Sequence, residues 1–152
     1  MDTHSFLRES RPEILAEAVA SVKRARLEHY EKGGTDQLLQ RLDDLLSLTI
    51  SAVAERNLAP MVAHANAVAQ ERFEGGFDLA EVQTTFNVLE EVIWLRILKH
   101  MPSGEQAEAL GLVGTVLGAG KDALARKYVS LATQTRTPSL NLQALFSGTE
   151  GG

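Results

Sequence analysis

The run Leu38-Leu39-Gln40-Arg41-Leu42-Asp43-Asp44-Leu45-Leu46-Ser47-Leu48-Thr49-Ile50-Ser51-Ala52-Val53 decides the fold class of this chain. Leu38, Leu39, Leu42, Leu45, Leu46, Thr49, Ile50 and Val53 return at intervals of three and four, which gathers them along one side of an α-helix. An apolar stripe of this kind has to be covered, and the cheapest cover is another helix. The flanking segments must therefore supply it.

Working outward, the same period continues on both sides. Towards the N-terminus, Ile14, Ala18, Val22, Ala25 and His29 form a stripe that Leu15 and Val19 widen. That helix is predicted to start near Ser10 or Arg11: Ser10 can cap, Pro12 suits the first turn, and Glu13 completes a capping-box spacing. Gly33-Gly34 ends it, and Thr35 begins the helix quoted above. Towards the C-terminus, Asn57 marks a cap before Leu58-Ala59-Pro60. A third helix follows, its inward side carrying Met61, Val62, Ala65, Val68, Ala69 and Phe73, and Gly75-Gly76 closes it. Asp78 caps a fourth helix with Glu81 three residues on, while Phe77 and Val82 stand where a hydrophobic staple would place them. Val82, Phe86, Leu89, Val92, Ile93 and Ile97 carry its buried face. Pro102 ends it, and Ser103 can cap a fifth helix opening around Glu105-Gln106, with Leu110, Val113, Leu117, Leu124, Tyr128 and Leu131 turned inward. The expectation is an all-α bundle of about five amphipathic helices over residues 10–133. Residues 1–9 are expected to be a flexible N-terminus and residues 134–152 a linker or disordered tail.

Composition narrows the function classes. At 152 residues, 44% hydrophobic and 23% charged, the chain suits one ordinary domain, and with aromatics at only 5% the aliphatic side chains must fill its core. Its net charge of −5, with both signs interspersed, argues against a phosphate-neutralising surface for nucleic acid. The short basic cluster Lys23-Arg24-Ala25-Arg26 reads as a solvated helix face. The absence of cysteine excludes disulfides, thiol catalysis and cysteine-ligated zinc. The N-terminus lacks the basic and apolar regions of a signal peptide, and no window approaches the ~20 apolar residues of a membrane span. A cytoplasmic protein without membrane contact is expected.

No catalytic or metal-binding constellation is recognisable. His4, His29, His64 and His100 lack the i, i+4 partner of a helical zinc site, and Glu71, Glu90 and Glu91 lack the Glu-x-x-His pattern of carboxylate di-metal bundles. No nucleophile elbow is present, and the double glycines join helices without the context of a phosphate loop. The chain is therefore read as neither an enzyme nor a metal protein, with no cofactor required. Three features remain as candidates for a ligand pocket or an interface. His64 lies mid-helix and could ligate haem, although an ordinary helix histidine explains it as well. Gly111, Gly114 and Gly118 make a smooth stripe on the last helix, for which internal packing leads, a dimer interface follows and a pocket wall comes third. Each costs the helix about 1 kcal/mol relative to alanine. Trp94, with Leu95 and Leu98, lies off the centre of the buried stripe of the fourth helix, so that helix is apolar around more than half its circumference. The core is favoured for Trp94 and partner contact is its alternative.

Four stretches carry a family likeness: Glu55-Arg56-Asn57-Leu58-Ala59-Pro60, Ala69-Gln70-Glu71-Arg72, Gly75-Gly76-Phe77-Asp78-Leu79-Ala80-Glu81-Val82 and Leu89-Glu90-Glu91-Val92-Ile93-Trp94. Over residues 10–132 the chain resembles the N-terminal helical domain of RsbRD-type RsbT co-antagonist proteins, a type of domain that also precedes sensor histidine kinases. In the shared turn Gly76 reverses the chain, Phe77 staples it, and Asp78 with Glu81 caps the next helix, so these residues read as structural. The resemblance implies a sensory or regulatory input module, followed in the co-antagonists by a STAS output domain that a partner kinase phosphorylates within a stress-signalling assembly. Nothing after Thr133 could form such a domain, so a cut-out input domain or a stand-alone relative is expected, the linker-like tail favouring the first. Two functional classes follow. One is a non-catalytic regulatory domain acting as a homodimer, through helix packing, on a regulatory protein or downstream output domain. The other is a bundle binding haem or another flat apolar cofactor through His64, Trp94 and the glycine-lined groove.

Overall fold

The computed structural model describes residues 1–25 and 28–136. Among these residues every regular element is a helix, and there are six: α1 (Thr3–Glu9), α2 (Arg11–Ala25), α3 (Glu28–Glu55), α4 (Ala59–Glu74), α5 (Leu79–His100) and α6 (Ser103–Arg136). The chain is an all-α bundle. α6 packs along α4 and α5, α5 also packs on α2, and α2 on α3.

The sixth helix is the one the sequence missed. Of residues 1–9, expected to be flexible, Thr3–Glu9 form α1, which Asp2 caps by accepting from the Ser5 N–H at 2.9 Å. Phe6 and Leu7 then enter the core, Leu7 completely. α2 opens at Arg11, directly after Ser10 as expected, and Ser10 also closes α1. The Ser10 N–H donates to the Phe6 carbonyl and its carbonyl accepts from the Ile14 N–H, both at 3.0 Å. Seven residues hold too little periodicity to announce a helix, whereas three buried residues, Thr3, Phe6 and Leu7, hold this one against the bundle.

The stripe of α3 is buried as its spacing requires: Leu38, Leu42, Leu45, Leu46, Thr49, Ile50 and Val53 are all inside, while Leu39 at its margin is exposed. Thr49 satisfies its buried hydroxyl by donating to the Leu45 carbonyl at 2.8 Å. The stop expected at Gly33-Gly34 shows as a break within α3, where Gly34 takes φ 80 and ψ 169, a conformation open only to glycine. Asn57 acts one residue earlier than a simple cap: its side chain accepts from the Ala59 N–H at 3.1 Å, with Leu58 at the cap position and Pro60 in the first turn. Ser103 lies inside α6 rather than ahead of it. The end of α5 is held instead by Gln106, whose amide donates to the carbonyls of Leu98 (3.3 Å) and Met101 (3.0 Å). The helix expected to end at Thr133 runs on to Arg136; the rest of the expected tail lies outside the described residues.

Candidate interaction site

The turn between α4 and α5 shows how firmly one side of the bundle is tied. Gly76 has φ 81, and the Phe77 N–H donates to the Arg72 carbonyl at 2.9 Å, which reverses the chain. The expected capping box is present, with Glu81 accepting from the Asp78 N–H at 3.1 Å. The Phe77 ring lies under two guanidinium groups, those of Arg41 at 5.5 Å and Arg72 at 5.6 Å from its centroid. Its carbonyl accepts from the Tyr128 hydroxyl at 3.2 Å, and the Tyr128 ring meets Phe73 edge-on at 5.8 Å. The turn is thus bonded to α6 and carries α3's Arg41 over its ring. Arg72 is buried, which the sequence did not reveal. It completes the Met61, Ala65, Ala69 stripe of α4, and its guanidinium pairs with Glu71 and covers Phe77.

The opposite situation holds along the outer side of α5 and α6. The buried face of α5 carries Val82, Phe86, Leu89, Val92, Ile93 and Ile97. Trp94, Leu95 and Leu98 point away from it and are 48%, 52% and 45% exposed. The core reading of Trp94 is therefore overturned: the apolar arc of α5 exceeds what its neighbours can cover, and the indole falls in the uncovered part. Beside it lies a groove of about 430 Å³, walled by Glu90, Glu91 and Trp94 of α5 and by Leu110, Val113 and Gly114 of α6. Lys121 spans the two helices nearby, donating to Glu90 Oε1 at 2.7 Å and Asn87 Oδ1 at 3.1 Å.

The glycine stripe belongs to this outer side. A Cβ built on Gly111 or Gly118 would meet nothing within 4 Å, and one on Gly114 would meet only Glu90 Oε2 at 3.9 Å. Internal packing, the leading explanation from sequence, fails for all three. It holds instead for Gly120, where a Cβ would stand 2.9 Å from Phe86 Cε2 and 3.0 Å from Met61 Sδ. Gly120 stands two residues after Gly118, outside the three-and-four spacing of the stripe. The inward positions Leu117 and Leu124, three residues before it and four after, were the signal that places it on the buried side.

His64 does not join this site. It is half-buried on α4, and the charges acting on it are those of Asp44, Arg72 and Glu71. Loss of hydration pushes its pKa below the ordinary 6.5, partly offset by the Asp44 carboxylate. The three features that the flat-cofactor reading combined are thus divided, since the groove's walls include Trp94 and Gly114 but not His64. Among the described residues no group of three or more His, Asp or Glu is placed to hold a metal ion, and no helix is long and apolar enough to cross a membrane.

No curated protein and no solved structure matches the chain. The family model for the N-terminal domain of the RsbT co-antagonist protein RsbRD matches residues 12–138, from the start of α2 to just beyond the end of α6, and the chain belongs to that family.

Proposed function

We propose that this chain is a non-catalytic regulatory input domain of a cytoplasmic stress-signalling system, working by self-association through the outer face of α5 and α6. The observation that carries the reading is the uncovered Trp94-Leu95-Leu98 surface beside a groove whose α6 wall is kept smooth by glycine. Exposed apolar groups that cluster mark contact surfaces more often than scattered ones do, and tryptophan is enriched where contacts contribute most. Family membership supports a role with protein partners, since the family is named for co-antagonists of a signalling protein.

The output route in this reading is α6. It is 34 residues long, about 50 Å at the helical rise, and one helix carries both Gly114 in the groove and Tyr128 bonded to the α4–α5 turn. A change in how two copies pack at the groove would tilt or shift this helix, and a partner or output domain attached beyond it would read the change. Two packings separated by a few kcal/mol are enough for such a switch.

Sedimentation velocity over a wide concentration range tests the reading. The wild-type chain is expected to dimerise, and Trp94→Gln to weaken that dimer about thirty-fold or more, the scale of a buried aromatic anchor. A wild type that stays monomeric at high micromolar concentration removes the proposal.

A further inference from the structure

Leu95 sits midway between two exposed charges on α5: Glu91 is four residues before it and Lys99 four residues after. Neither has an ion-pair partner among the described residues, in contrast to Glu90, which Lys121 engages. Trp94 and Leu98 share the same outer surface. Going along the helix, the surface therefore reads negative, apolar, positive, with Leu95 at its centre.

We infer that a second copy of this chain covers the face, with its α5 antiparallel to the first and the two-fold axis passing beside Leu95. The inference rests on the self-association reading above and fixes its register. An antiparallel pair centred on Leu95 sets Glu91 of each copy opposite the partner subunit's Lys99, so one spacing forms two cross-subunit ion pairs. A parallel pair centred on the same residue would set carboxylate against carboxylate and ammonium against ammonium. Shape agrees with charge. A two-fold interface uses the same patch twice, so projection and recess must both belong to that patch. Here the Trp94 indole projects and the groove at Leu110, Val113 and Gly114 lies next to it. The open space over Gly111 and Gly118 lets a neighbouring helix or indole come close to the α6 backbone.

Charge reversal on the whole chain distinguishes the register from the association itself. Glu91→Lys and Lys99→Glu each turn two attractive contacts into two repulsive ones, and each is expected to weaken the dimer about ten-fold at low salt. The double variant exchanges the charges and is expected to return within a few-fold of wild type. Single variants that dimerise like wild type, or a double variant as weak as either single one, overturn the register while leaving self-association standing. A monomeric wild type overturns both. Because the chain has no cysteine, Leu95→Cys adds a second reading: oxidation is expected to yield a covalent dimer, as a residue beside a two-fold axis meets its own copy. Failure to cross-link under conditions where the wild type dimerises places the axis elsewhere.

Discussion

Helix α6 has two sides that treat glycine in opposite ways. On the inner side Gly120 lets α6 approach Phe86 of α5 and Met61 of α4 to a distance no Cβ would tolerate, and eight residues later Tyr128 bonds the α4–α5 turn. On the outer side Gly111, Gly114 and Gly118 face space. The cost in helix propensity is the same at each position, about 1 kcal/mol relative to alanine. Only at Gly120 does a contact within the chain offset it. The difference teaches that a glycine-rich helix is not evidence for close packing until each glycine is placed, and that an uncompensated stripe points to something outside the chain.

Substitution can break that contrast. Gly120→Val forces at least one methyl into the Phe86 ring and the Met61 thioether, and overpacking of this order is expected to cost about 3 kcal/mol. For a domain of this size the melting temperature should fall by roughly 10 °C. An unchanged melting temperature would show that the inner side is loose and that the two sides do not differ. The outer positions should respond with the opposite sign. In dilute protein the triple change of Gly111, Gly114 and Gly118 to alanine is expected to stabilise the folded chain by as much as about 2–3 kcal/mol, since propensity improves and nothing is struck. The same variant should dimerise more weakly in sedimentation, because three methyl groups roughen the surface proposed for contact. Stabilisation combined with unimpaired dimerisation would leave the stripe without a role; destabilisation would mean that the outer side is packed after all.

What could be read from the sequence was set by the regularity of each segment. The α3 stripe and the inward positions of α5 repeat over several turns, so their burial follows from spacing alone. Helix α1 has only about two turns and gave no period to detect. Arg72 stands in register with Met61, Ala65 and Ala69, but its charge argued for solvent, and only the Phe77 ring and Glu71 explain how a guanidinium is held inside. Trp94 was legible as off-centre, yet whether a neighbouring helix covers the wide apolar arc of α5 depends on how the helices are arranged in space, which periodicity does not contain. The glycine stripe had the same difficulty: three and four spacing puts residues on one side without saying which side faces the core. The family likeness read from four short stretches was the same family that the match over residues 12–138 shows.

A smaller effect sharpens the contrast from the inner partner of α6. His64 lies on α4, half-buried, with its pKa held below 6.5 by loss of hydration and only partly restored by Asp44. A histidine that is harder to protonate when folded gives the unfolded chain first claim on the proton as pH falls. Its neutral form is therefore fully compatible with the fold above about pH 6.5, and stability declines below that value until the folded site itself takes up the proton. His64→Gln keeps a polar group of similar reach and removes the titration. Denaturant unfolding at successive pH values is expected to show the wild type losing more stability than His64→Gln between pH 6.5 and pH 5, with the two converging in slope at neutral pH. Every other ionisable group is common to the two proteins and cancels in the comparison. Parallel curves throughout would mean that His64 is as well hydrated as the residues on the outer face, and that the α4 side of the bundle is more open than its packing against α6 implies.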